Sequence, residues 1–362
     1  MKLQNSGAIT STQAIILIIN YILGVGILTL PRTAAAEVGT PDIWLTVLIS
    51  SVFPIWIGLI IIKLNNRFPG KTFFQYNHLI IGKFLSIVLG LFIILYFMVL
   101  TSFELRVMAE VTEMYLLEGT PIEILIVIYI WLSVYLIVGG ISSIARLFQI
   151  IFPITVFIFI LIAFMSLGLF EVNHLRPVLG DGIIPVLKGI KTTSLSFIGI
   201  EILLILSAYL IKPRDGNYVV LWGVLLPTIF YVITVVVVIG ALSVEGVNNL
   251  TWPTISLIRS FEFPGIIFER YDSLFLIIWI MQMYATSTIT IFAAALGLSH
   301  LFNKRFTTFM YSLLPFIYIF SMVPKNLHDI FFVGDMLGEA AIVLFGITPL
   351  LLLAITKIRG NR

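Results

Sequence analysis

The sequence predicts an all-α polytopic membrane protein of ten transmembrane helices, set as two inverted groups of five with the first and sixth helices broken. Three observations predict this class. Of the 362 residues, 60% are hydrophobic and only 11% charged, against roughly a quarter charged in a soluble domain. Ten mostly apolar runs approach or exceed the length of about 20 residues that crosses a bilayer. The first and sixth runs are interrupted at depth by glycine, and irregular backbone is tolerated there only around a protein-lined cavity.

The runs cover 13–36, 42–62, 84–117, 121–138, 142–170, 183–211, 217–242, 265–300, 306–323 and 330–356. The first opens on Thr10-x-x-Gln13, the pattern of a capping box. Its middle reads Asn20-Tyr21-Ile22-Leu23-Gly24-Val25-Gly26-Ile27-Leu28-Thr29-Leu30-Pro31, where two glycines one residue apart weaken the helix. The third and eighth runs are too long for a perpendicular crossing and predict tilted helices or extensions beyond the bilayer. The sixth is broken at Thr193-Ser194-Leu195-Ser196-Phe197-Ile198-Gly199-Ile200-Glu201, a small polar cluster followed by a glycine and a carboxylate. Runs one and six enter from opposite sides, so about 10–170 and about 183–356 read as inverted repeats of a single membrane domain. Residues 250–264, between runs seven and eight, are too polar to span and too apolar for a free loop. They predict an interfacial helix on the outer face.

Charge orients the chain. Most of the 21 Lys and Arg residues, among them Lys63, Arg67, Lys71, Arg146, Lys212 and Arg214, fall on the N-terminal side of the runs. By the positive-inside rule both termini are cytoplasmic. The formal charge of +3 therefore reflects loop topology, and no nucleic-acid partner is expected. There are no cysteines, and His78, His174, His300 and His328 are scattered without metal-ligand spacing. No metal, cofactor or enzymatic chemistry is expected: no nucleophile has a base and no phosphate loop is present.

If the two breaks face each other, the amides of Gly24, Val25 and Gly26 can hold a carboxylate at a half-helix N-terminus. Carbonyls near Tyr21, Phe197 and Ile198 can accept an ammonium, a charge arrangement that suits a free amino acid. Depth-matched walls would come from Leu100, Thr286 and Ala341, which makes the side-chain pocket small and apolar. Bulk at Gly26 would block the ligand by filling the anion-binding backbone. Glu104, Arg106, Glu201 and Glu339 are intramembrane charged groups that could serve coupling. Arg106 and Glu110, four apart, either pair internally or join a solvated outer cluster. Glu201 either carries a proton or caps a half-helix, and Asp335 and Glu339 open the tenth run toward an aqueous path. The hydroxyls of Thr286, Ser287, Thr288 and Thr290 either complete a sodium site or bond their own helix.

These residues carry a resemblance. Gly24-Val25-Gly26-Ile27-Leu28 with Leu30-Pro31 is similar to the first-helix signature of the amino acid–polyamine–organocation transporter superfamily. Ser102-Phe103-Glu104-Leu105-Arg106-Val107-Met108-Ala109-Glu110, Arg176-Pro177-Val178-Leu179-Gly180 and Trp252-Pro253-Thr254-Ile255-Ser256 narrow it to the endospore germination permeases. Within that family the chain resembles the B subunit of a GerA-type germinant receptor. The resemblance implies a LeuT-like fold in the spore inner membrane, partner A and C subunits, and a small amino-acid germinant. The residues themselves leave two functions open: a receptor subunit that signals to its partners, and an H⁺- or Na⁺-coupled amino acid transporter.

Overall fold

The computed structural model describes residues 7–261 and 271–358. The N-terminal crossing is α1 (Ser11–Ile22) followed by α2 (Gly26–Val38), bent from each other by 52°. The Thr10 hydroxyl caps α1 by accepting from the Gln13 amide, and the Gln13 side chain accepts from the Thr10 amide in return. Just upstream, Ile9 is clamped to the end of the sixth run through the Ile9 amide to the Tyr209 carbonyl (2.8 Å) and the Ile211 amide to the Ile9 carbonyl (3.0 Å).

The chain continues through α3 (Ile43–Asn65), α4 (Phe73–Ile81), α5 (Lys83–Tyr115), α6 (Ile122–Val138) and α7 (Ile141–Ser166). The sixth crossing is split into α8 (Ile190–Leu195) and α9 (Ile200–Tyr209) around an irregular stretch at 196–199. Next come α10 (Gly216–Asn248), which changes direction at Ser243, and α11 (Pro253–Arg259), with Pro253 at its first turn. The last crossings are α12 (Tyr271–Phe302), α13 (Phe306–Ser321) and α14 (Leu327–Ile358), the last with a π-helical stretch over Ile342–Ile347. Among the described residues, six helices meet the length and hydropathy of a span. The bent α1–α2 pair and the shorter apolar α6, α9 and α13 account for the other four crossings. Residues 262–264 of the expected outer helix, and the start of the eighth run, lie outside the described residues.

Amphipathic α4 is too short to span, so hydropathy alone passes over it. Its start was legible, because Thr72-x-x-Gln75 repeats the capping pattern of α1 and forms the same reciprocal box. The bundle interior is built on α5 and α12. Their joint is small and polar, with the Thr101 hydroxyl donating to Thr290 at 2.7 Å. Hydroxyls that also bond their own helix let backbones approach closely without leaving a polar group bare in hydrocarbon. The outward face of α6 exposes Ile128, Trp131 and Tyr135, as a lipid-facing surface does.

Candidate ligand pocket

A helix broken at depth releases carbonyls that hydrocarbon cannot satisfy. Here four carbonyls at and just after the first break are met by donors from other elements. The Tyr231 hydroxyl on α10 lies 2.5 Å from the Ile22 carbonyl and 3.0 Å from the Ser196 carbonyl, so one side chain bridges both breaks. The Trp279 indole N–H on α12 donates to the Gly24 carbonyl at 3.1 Å. The Thr286 hydroxyl reaches the Tyr21 carbonyl at 3.3 Å. Pro31, lacking an N–H, leaves the Ile27 carbonyl without its helical donor. The Thr254 hydroxyl of α11 fills that role at 3.0 Å. None of these three, Tyr231, Trp279 and Thr254, was expected from the sequence as a donor to the first break, because nothing local relates them to residues more than 200 positions away.

The two breaks touch through glycines. A Cβ on Gly26 would collide with the Tyr231 hydroxyl and come 3.2 Å from the Ser196 carbonyl oxygen. Gly199, at φ +139°, would set a Cβ 2.8 Å from Ile22 Cγ1. Bulk at Gly26 would therefore meet the neighbouring break and Tyr231. The donor side of the break is left open: among the described residues the amides of Val25, Gly26 and Ile27 have no hydrogen-bond partner.

A cavity of about 130 Å³ opens beside this break. Tyr21, Val25, Gly26, Leu100, Glu104 and Ile198 line its depth, and Thr29, Thr33, Phe331 and Asp335 line its outer part. Arg32 stacks over the Phe331 ring at 5.4 Å near that opening. The remaining sequence candidates sit elsewhere. Gly24 and Thr286 lie behind the break. Phe197 and Ala341 line a separate cavity of about 40 Å³, with Ile198 on the wall between the two. Depth matching fails for Ala341 because α14 approaches the main cavity through Phe331, Gly334, Asp335 and Leu337, and residue 341 falls beyond it at the start of the π-helical stretch.

The charged candidates separate in the same way. Glu201 is fully enclosed and saturated: it accepts from the Gly199 amide (2.7 Å) and from the hydroxyls of Tyr21 (3.1 Å) and Tyr96 (3.5 Å). It caps the half-helix at the second break. Arg106 pairs with Glu110 at 2.6 Å, both largely buried, so the internal pair replaces the solvated cluster. Glu339 is exposed and pairs with Lys191 at 3.1 Å, away from the cavity, while Asp335 lines it. Of the α12 hydroxyls, Ser287 bonds the Tyr284 carbonyl of its own helix, Thr290 the Thr286 carbonyl, and Thr288 the Ser133 hydroxyl. Glu104, whose place the sequence left open, is 5% exposed and contributes to the cavity wall.

The family described as spore germination protein matches residues 8–330 of this chain. The chain belongs to that family. Among its relatives, spore germination protein YndE of Bacillus subtilis (strain 168) is 51% identical over 351 residues, covering 97% of each chain. The fold is LeuT-like, as two solved structures of low sequence identity bear out. One is MHP1, a nucleobase-cation-symport-1 family transporter closed around bromovinylhydantoin, with TM-score 0.70 at 13% identity, covering 95% of this chain and 78% of that one. The other is MhsT in complex with L-phenylalanine, with TM-score 0.69 at 14% identity, covering 95% and 97%. The ten crossings and the permease family make this germination protein an integral membrane protein.

Proposed function

We propose that this germination protein is the ligand-sensing B subunit of a germinant receptor, binding a small amino acid between its two broken helices and passing the change to A and C partner subunits in the spore inner membrane. The observation that carries this reading is the pair of unpartnered amides at Val25 and Gly26, two residues that line the 130 Å³ cavity. Such amides at a half-helix N-terminus receive a carboxylate. The cavity's apolar lining, Leu100, Phe103, Leu195 and Ile198, favours a small neutral side chain such as that of alanine, valine or proline. Basic loops on the N-terminal side support cytoplasmic termini.

Binding shifts a bundle between conformations by its differential affinity for them. The groups that would differ are those that staple the breaks, because they join α1, α8, α10 and α12 at one point. An amino acid transporter coupled to H⁺ or Na⁺ is the second reading, favoured by the likeness to MhsT in complex with L-phenylalanine.

The reading is tested by calorimetric titration of L-alanine, L-valine and L-proline into the purified full-length chain. Wild type should bind at least one of the three. Ile198→Trp and Val25→Phe, which fill the cavity without touching the Tyr231 staple, should lose that binding while keeping the unliganded melting temperature. Retained binding in both variants would remove the pocket assignment.

A further inference from the structure

Glu201 and Glu104 are buried near the two breaks, and their surroundings are opposite. Glu201 accepts from three donors. Glu104 Oε2 is fully enclosed and has no hydrogen-bond partner among the described residues. An acceptor left bare in a buried site carries its full desolvation cost. Such groups call for an explanation, and a functional role is one of them.

The basic residue nearest in sequence, Arg106, is engaged by Glu110 and supplies no charge to Glu104. Three oxygens gather around Gly24: a Cβ there would lie 3.0 Å from Thr286 Oγ1, 3.3 Å from Glu104 Oε2 and 3.4 Å from the Tyr21 carbonyl oxygen. They come from α12, α5 and α1, and the absence of a side chain at residue 24 is what lets them approach one another. Glu104 and Tyr21 both line the cavity. A primary ammonium carries three donors, and it forms its shortest and strongest hydrogen bonds to ionised acceptors. The unpartnered amides of Val25 and Gly26 follow Gly24 in the same break, and both residues line the cavity. A carboxylate and an ammonium on one ligand carbon would find complementary groups in it.

We propose that Glu104 is the counter-charge for a protonated amine on the ligand, so that this pocket selects ligands bearing an ammonium over hydroxy acids of the same shape. The proposal rests on the amino-acid pocket above and assigns its cation-binding half to a side-chain carboxylate, with Tyr21 beside it on the cavity wall. Glu104 thereby sets specificity, and the oily wall sets only the size of the side chain.

The test uses the full-length chain in detergent, with L-alanine, L-valine and L-proline as probes and L-lactate as the hydroxy analogue of alanine. Glu104→Gln, which keeps the shape and removes the charge, should weaken binding of the amino acid that wild type accepts by about 30-fold, the scale of a lost charge-assisted hydrogen bond. Glu104→Asp should retain part of it. L-lactate should fail to compete on the wild-type protein. Binding by Glu104→Gln at wild-type strength overturns the proposal, as does L-lactate competing as well as L-alanine. Ile198→Trp separates the two levels. If it abolishes binding while Glu104→Gln does not, the pocket stands and the role of Glu104 falls. If neither variant has an effect, or wild type binds none of the amino acids, both fall together. Should Glu104→Gln fail to fold, the lactate competition on wild type decides.

Discussion

Tyr231 has one hydroxyl proton and two carbonyls within reach, from Ile22 and Ser196. It is completely buried, between two breaks that would otherwise hold bare carbonyls. Tyr231→Phe removes the donor and leaves the ring. The expected loss is about 1–3 kcal/mol of stability, read as a lower denaturant or thermal midpoint for the purified chain. An unchanged midpoint would mean that water or another donor serves those carbonyls. The glycines of the first break, and Glu201 beside the second, were legible from the sequence because hydropathy and helix propensity mark them locally. Tyr231, Trp279 and Thr254 were not, since a buried Tyr, Trp or Thr in an apolar run looks the same whether it packs or staples. Gly26 shows the limit from the other side. Its conformational role was readable, but the atoms that forbid a side chain there belong to α10 and the second break.

At the scale of an element, α2 is a helix with a proline four residues beyond a carbonyl, capped by a hydroxyl from α11. The Trp252-Pro253-Thr254 stretch now has a structural meaning. Pro253 starts the short helix, Trp252 packs its ring 5.7 Å from Phe331, and Thr254 donates to Ile27. Thr254→Val keeps the shape and removes the donor, so it should destabilise the chain by about 1–2 kcal/mol. Protection of α2 amides in hydrogen exchange should fall more than that of α5. Equal protection of α2 in both proteins would show that α11 only covers the outer end. The element pattern was the most legible level, because ten apolar runs and two breaks follow from composition alone. What escaped was α4, below spanning length, and the internal geometry of α14. There the residues that reach the main cavity are Phe331, Gly334, Asp335 and Leu337, and Ala341 faces the smaller one.

For the whole molecule, the same pocket serves a sensor and a carrier, and the difference lies in whether the cavity opens to both sides. The cavity extends past Gly26 to Thr33, Phe331 and Asp335. Inward, Tyr21, Tyr96 and Glu201 close on one another beneath it, with the second cavity separated by Leu195 and Ile198. A carrier must break that cluster in every cycle, at the cost of stripping donors from a buried carboxylate, which is an expensive state in a low-dielectric interior. A sensor needs only to shift how strongly the two breaks are stapled. Proteoliposomes holding this chain alone should therefore bind the amino acid without accumulating it when an H⁺ or Na⁺ gradient is imposed. Gradient-driven uptake of labelled L-alanine, L-valine or L-proline above the level of empty liposomes would establish the carrier reading. Tyr21→Phe sharpens the comparison, because it removes one donor from Glu201 and leaves the cavity walls in place. In a carrier it should change the uptake rate. In a sensor it should shift the conformational equilibrium and with it the apparent affinity, with no uptake in either protein.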